Sequence, residues 1–355
     1  MNRIIYNCHT HLFTHEHVPD RYFLGVPLIR WLRHPFLRAF MPRLLKAVIP
    51  WSRSDRLNRF AAFMHAAFRS SQAENFAELA SYYPDGTRFV VLPMDMTHMA
   101  AGPALAGIDA QHEELAELTA AHPGRIIPFA HIDPRHPDAA DRLRRLVEER
   151  GFRGVKIYPP LGYDPDHPVL MKSIYPYMVA NNLPLMTHCS PGIVTTRAEP
   201  AVVANRRARP ANYVPVMDAF PELRICLAHF GGDGEWRRYI DVPAERRSTW
   251  LWQIRDLMQE GYSNLYADVS YTVFHFQENA SMLTVFLEDP VMASRVLFGS
   301  DFYMVYNEKY SEKRLSIDLR AALGEAKFWR IANENPRRYL GEPTTDPAPE
   351  TVQTS

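Results

Sequence analysis

Cysteine is scarce in this 355-residue chain, with only Cys8, Cys189 and Cys226. An odd number with no CxxC pair excludes a disulfide framework and a thiolate zinc site. An excess of either charge is missing too: 40 Lys and Arg face 40 Asp and Glu, leaving a formal charge of zero. There is then no global field to gather nucleic acid or an anionic membrane, and a small neutral or mildly charged substrate suits the chain better than a polyanion. No stretch approaches the ~18 to 20 consecutive apolar residues of a spanning helix. The opening MNRIIYNCHTH runs straight into a strand-like segment, without the long apolar stretch and small-residue cleavage site of a secretory signal. The expectation is a soluble cytoplasmic protein with no nucleic-acid partner and no stable membrane association.

What the chain does have is 46% hydrophobic residues, enough for a large core. Short runs rich in Val, Ile, Leu and Phe alternate with longer segments of helical periodicity, the pattern of βα units. Eight runs read as strands: 3–9, 88–94, 125–132, 153–158, 183–188, 223–229, 264–270 and 295–300. Segments such as 109–121 and 138–150 repeat apolar residues at three and four and read as outer helices. Periodicity alone fits an open doubly wound sheet or a closed barrel equally. The polar residues decide: His11, Asp95, Asp133, Lys156, His188, His229, Asp268 and Asp301 all fall at or just beyond a strand end, where (β/α)₈ barrels keep their chemistry. We therefore expect an α/β fold, a (β/α)₈ TIM barrel over 1–341 with a helical insertion at about 20–80 after the first strand, and a disordered tail at 342–355. The insertion carries no acid from Arg21 to Ser54, and Pro35, Pro42 and Pro50 break it into pieces too short for a good interfacial helix. It reads as a cap on the barrel or a contact between copies of the chain.

His9 and His11 form an HxH pair at a strand end, and a period of two points both side chains the same way. Neutral imidazoles joined by a carboxylate suit Zn²⁺ and its neighbours, with Mn and Fe as alternatives. An HxH pair by itself is weak evidence. It gains weight from LPLMTHCSPG, LAHFGG and LFGSDF, which follow in the order in which strands five, six and eight would deliver them.

From NCHTHLF to NENPRRYLG the sequence resembles the amidohydrolase superfamily, in the amidohydrolase 2 branch that includes aminocarboxymuconate-semialdehyde decarboxylase. The resemblance implies that His9, His11, His188 and Asp301 hold a divalent metal, and that His229 is a catalytic group or ligates a second ion. GVKIYPP is similar to the strand-four segment of dihydroorotases, whose lysine is carbamylated and bridges two metals. Lys156 either plays that part or holds a substrate carboxylate. The expected activity is hydrolysis of an amide, ester or lactone, with Asp301 as base and then acid and His229 polarising the carbonyl. The alternative is non-oxidative decarboxylation of a carboxylated aromatic or enol.

Around this set, Tyr158, Arg197 and Trp236 are candidate substrate contacts, with Arg135, Tyr271 and Tyr303 on the same face. His131 faces the pocket or caps the barrel. His15 and His17 read as loop residues, and Cys8 and Cys189 as buried thiols on the face opposite the ligands.

Overall fold

The structure, a computed structural model, describes residues 3–22 and 54–343. Almost all of the basic stretch from Arg21 to Ser54 lies outside the described residues, as do residues 344–355. All eight strand candidates are found, as nine short parallel segments: β1 Tyr6–Thr10, β2 Arg88–Val91, β3 Ile126–Pro128, β4 Ala130–His131, β5 Val155–Ile157, β6 Leu185–His188, β7 Ile225–Ala228, β8 Leu265–Asp268 and β9 Val296–Leu297. The third candidate is split in two. Its first half pairs with β2 and its second with β5, and Phe129 at the break packs against Gly154, where any larger residue would collide with the ring.

The two sheet pieces, β1-β2-β3 and β4 to β9, close into a barrel at the seam between the first and last strands. Cys8 N donates to Phe298 O at 2.8 Å, Asp301 N to His9 O at 2.8 Å and His11 N to Phe302 O at 2.6 Å. Side chains sort by the period of two. Val155, Ile157, Leu185, Ile225 and Leu265 turn outward under the helices, whereas Val90, Leu92, Met186, Cys226 and Leu297 fill the barrel, which Tyr339 and Leu340 plug from below. Glu342, expected as the start of the tail, is instead held by Tyr6, Arg88 and Arg153.

β1 departs from strict alternation. Asn7 pairs with Phe89 but Thr10 with Val91, so β1 holds one residue more than β2 over the same span. Such a bulge lets two successive residues turn the same way. Cys8 therefore joins the barrel interior beside His9, rather than the opposite face expected from alternation. The outer layer includes α1 (Ser54–Ala67) and α2 (Gln72–Ser81) of the insertion, α3 (Ile108–Ala121), α4 (Ala139–Arg150), α5 (Asp233–Asp241), α6 (Trp250–Gln259) and α7 (Glu312–Trp329). Among the described residues no helix is long and apolar enough to cross a membrane.

Candidate metal centre

At the C-terminal mouth of the barrel, His9, His11, Lys156, His188, His229 and Asp301 line one cavity of about 860 Å³. His9 and His11 end β1, and Gly299 across the seam gives His9 its room: a Cβ there would stand 2.9 Å from His9 Cβ. Asp301 and His229 sit just past β9 and β7 with φ of +68° and +64°. Few residues other than glycine adopt this region, and such strain collects at functional sites.

Hydrogen bonds fix which ring nitrogen of each histidine is free. His11 Nδ1 lies 2.7 Å from the Leu92 carbonyl and His229 Nδ1 3.2 Å from that of Ser270. A carbonyl only accepts, so each Nδ1 carries the proton and Nε2 keeps the lone pair. His9 Nδ1 donates to the Asp268 carboxylate at 3.0 Å, which leaves its Nε2 as a lone pair as well. His188 is turned the other way: Nε2 donates to Ser190 O at 2.9 Å, leaving Nδ1. Burial lowers His9 to about 3, with the Lys156 charge adding to the effect and Asp268 opposing it. Burial also lowers His188 and His229. These three rings are neutral at physiological pH.

Three acceptors then face one another. Asp301 Oδ1 is 3.1 Å from His11 Nε2 and 3.5 Å from His9 Nε2. Burial alone would raise Asp301, but the adjacent His11 ring and the neighbouring His9 and His229 hold it below the usual carboxylate range. Both His9 Nε2 and Asp301 Oδ1 are buried without a hydrogen-bond partner. Lone pairs this close and this dry need a positive charge between them, either a proton on His11 or a cation. Two imidazoles and a carboxylate, with all ligand atoms within 4.8 Å, fit a divalent ion.

A second grouping, His9 with His229 and Asp268, is of a different kind. Asp268 Oδ1 already accepts from His229 N at 3.1 Å, Ser270 N at 2.9 Å and the Ser270 hydroxyl, and its Oδ2 holds His9. Burial alone would raise Asp268; His9 and these bonds hold it well below the usual range. It is a fixed anion that orients His9, a role that the strand-end position did not reveal. With Asp268→Asn, His9 loses the charge that sets its tautomer. Metal affinity should fall by about 10- to 100-fold, read by competition with a chelator; unchanged affinity would exclude the orienting role.

Lys156, on β5, is fully buried with Nζ unpartnered, and burial lowers its ammonium to about 8. Tyr158 lines the cavity and stacks on His188, with ring centroids 4.2 Å apart and planes at 17°. His188 is 4.9 Å from the His229 ring but is not part of either compact ligand grouping. Arg197 and Trp236 are corrections to the expected set. Arg197 is exposed and does not itself line the cavity; it donates to the carbonyl of Tyr22, which does. Trp236 is buried in α5, where Nε1 donates to Phe230 O at 2.9 Å and the ring packs on Phe230 and Phe286. Arg135 is spent on Asp133 and the Tyr163 ring. His131 is buried, with Nδ1 on the Pro93 carbonyl at 3.1 Å. His15, read as a loop residue, lines the cavity and stacks on Phe68.

Behind the centre, Asn7 bridges the seam. It donates to Ser300 Oγ at 2.8 Å and to Tyr83 OH at 3.2 Å, while its Oδ1 accepts from Ser300 N at 3.0 Å. Tyr83 in turn donates to Glu312 at 2.6 Å. Burial raises Glu312 to about 7, against the hydrogen bonds from Tyr83 and Ser300. The folded pKa exceeds the unfolded one, so between about 4.5 and 7 the folded state binds more protons and stability falls as pH rises. Glu312→Gln keeps an acceptor for Tyr83 without the charge. In the metal-free protein it should add nothing below pH 4.5 and on the order of 2 kcal/mol above pH 7, measured by urea unfolding at both ends. An equal effect at both pH values would contradict the shift.

Parallel strands closed into a barrel, with imidazoles and a carboxylate at their C-terminal ends, define a (β/α)₈ scaffold with a candidate metal centre at its mouth. The sequence profile of the family described as Amidohydrolase matches residues 6–341, and the chain belongs to that family. No curated protein matches it. Among solved structures it is similar to 2,6-dihydroxybenzoate decarboxylase bound to 2,6-dihydroxybenzoate, with 18% identity, TM-score 0.57, and 96% of this chain and 99% of that one covered. The 2,6-dihydroxybenzoate decarboxylase from Rhizobium gives 17%, 0.56, 96% and 99%. The 5-carboxyvanillate decarboxylase from Novosphingobium aromaticivorans, with manganese and 4-hydroxy-3-methoxy-5-nitrobenzoic acid, gives 14%, 0.60, 96% and 96%. At these identities the likeness is one of fold, the TIM barrel.

Proposed function

We propose that this protein is a metal-dependent, non-oxidative decarboxylase of a hydroxylated aromatic carboxylate, and that His9, His11, His188 and Asp301 hold one divalent cation, Mn²⁺ or Zn²⁺. The observation that carries the reading is the make-up of the cavity: a floor with one lone-pair cluster and one unpartnered cation, Lys156, under walls of Phe13, Tyr158, Tyr271, Tyr303, Met94 and Met304. Such a space takes a flat apolar ring with an anionic end. The structural neighbours named for 2,6-dihydroxybenzoate and 5-carboxyvanillate agree in class. The dihydroorotase-like setting of Lys156 tilts toward hydrolysis with two bridged ions, but the hydrogen bonds that Asp268 already accepts count against a second ion beside it.

When bound, the cation would supply positive charge to bind and orient the substrate's oxygens. Lys156 Nζ holds the carboxylate or the adjacent phenolate. The apolar walls exclude water, and a carboxylate stripped of water is favoured to leave as neutral CO₂. Asp301, an ionised carboxylate in the free site, takes the phenolic proton as the substrate's hydroxyl binds as phenolate, and then delivers it to the ring carbon that bears the carboxylate. The bond to the carboxylate carbon then breaks, its electron pair returns to the ring and CO₂ departs. Tyr158 and His188 present a flat stacked surface that keeps the ring in register.

The test is a panel of hydroxybenzoates with manganese or zinc, followed by CO₂ release in D₂O. One deuterium should appear at the vacated ring carbon, and metal analysis should give one ion per chain. Hydrolysis of amides, esters or lactones with no CO₂ from any acid would overturn the reading. So would two ions per chain with a carbamate's added mass on Lys156.

A further inference from the structure

The donor cluster occupies only the floor of its cavity. The whole space measures about 860 Å³, whereas a cavity of about 150 Å³ already holds benzene. A hydroxybenzoate seated on Lys156 and the histidines leaves most of this volume unfilled.

The remainder has its own wall. Phe63, Met64 and Ala67 of α1, with Phe68 just beyond it, all line the cavity. Their spacing puts them on one helical face. Met64 and Phe68 are 8% and 6% exposed, yet they form a hydrophobic cluster separate from both barrel clusters, with Phe63 and Ala67 packed against it. Phe63 and Ala67 also touch the barrel core, Phe63 against the Tyr303 ring at 5.6 Å, and all four residues present surface to the cavity. His15 closes the side by stacking on Phe68, with centroids 4.5 Å apart and planes at 20°. The lining carboxylates belong to other elements and are engaged: Asp233 with Arg237 and Asn279, Glu235 with Arg238 and Trp250 N, Glu308 with Tyr271. Among the described residues this wall is thioethers and aromatic rings, which make a compartment for hydrocarbon, and methionine adapts to flexible occupants.

We propose that the physiological substrate carries a large apolar substituent, an alkyl chain on the carboxylated ring, and that the α1 face is the determinant that selects it. The proposal rests on the aromatic-acid reading for the ring end. The chain enters the compartment under Phe63, Met64 and Phe68 while the carboxylate meets Lys156.

The experiment is calorimetric binding of 2-hydroxybenzoates bearing linear 6-alkyl chains of increasing length to the full-length protein, without turnover, in parallel with CO₂ assays. Each buried methylene should tighten binding about fourfold until the compartment is full. In Ala67→Phe, which fills the compartment from the helix, the affinity ratio between long-chain and unsubstituted acids should fall by at least tenfold, with the thermal melt reporting that the variant is folded. A gradient without CO₂ release sustains the compartment and fails the decarboxylase reading. CO₂ release from small acids with no dependence on chain length overturns the compartment alone. A gradient that persists in Ala67→Phe also overturns it, because the chain would then lie elsewhere. If Ala67→Phe does not fold, Ala67→Leu provides the same comparison with a smaller expected loss.

Discussion

Asp301→Asn should lose turnover by about 10³-fold and leave the barrel intact. The carboxylate is asked to do two things at once. Its Oδ1 lies 3.1 Å from His11 Nε2 and 3.5 Å from His9 Nε2, within the candidate ligand cluster, and in the proposed mechanism the group also carries the proton that the ring carbon takes. An amide of the same shape keeps an oxygen for the cation but no charge and no acid. The backbone at Asp301, with φ of +68° and its N–H on His9 O, is compatible with asparagine, which tolerates this region better than most residues. Single-turnover rates at saturating metal, beside an unchanged melt, are the measurement. Turnover within tenfold of the parent would remove Asp301 from the mechanism.

Lys156→Met should separate stability from activity in opposite directions. The side chain is fully buried, its Nζ has no partner, and burial brings its ammonium down to about 8. A folded pKa below the unfolded value means that holding the charge costs stability at and below pH 8, and that the cost fades as pH rises toward 10.5. An apolar residue of similar length removes that cost. Stability at pH 7 should rise on the order of 2 kcal/mol, and the gain should shrink by pH 10. Catalytic efficiency should fall by about 10²-fold, the scale for leaving a buried ligand charge unpaired. A stable, active variant would mean that Lys156 meets no substrate anion; an unstable one would mean that it is charge-compensated in the native state.

Much of this was legible in the chain before its structure, and the physical reasons differ from part to part. Parallel strands covered on both sides must be nearly continuous apolar runs, so all eight announced themselves, and the polar residue at each terminus marked the mouth. The ligand pair His9 and His11 followed from the period of two. The bulge in β1 did not, because a one-residue excess exists only relative to β2, and so Cys8 was placed on the wrong face. Position past a strand end identifies the catalytic side but not where a side chain turns. Hence Trp236 and Arg197 were expected at the substrate, whereas one fills the gap between α5 and its neighbours and the other holds the carbonyl of Tyr22 from behind the cavity wall. Asp268 was seen at its strand end without its role, since that role depends on which way the His9 ring faces. The hydrocarbon compartment was hidden for a similar reason: an apolar helical face reads the same whether it meets core or cavity.

The seam between β1 and β9 also sets a timetable. Synthesis runs from the N-terminal side, so His9 and His11 emerge before the rest of the barrel, as bare imidazoles on an unpaired strand. Their carboxylate, and the strand end that receives the Cys8 amide, arrive only after all the other strands. A cation held by the proposed ligands therefore cannot be gripped by the growing polypeptide, and loading would wait for closure. Chains truncated before β9 should bind zinc no better than a short HxH peptide; tight binding by such a fragment would show that the seam is not what assembles the centre.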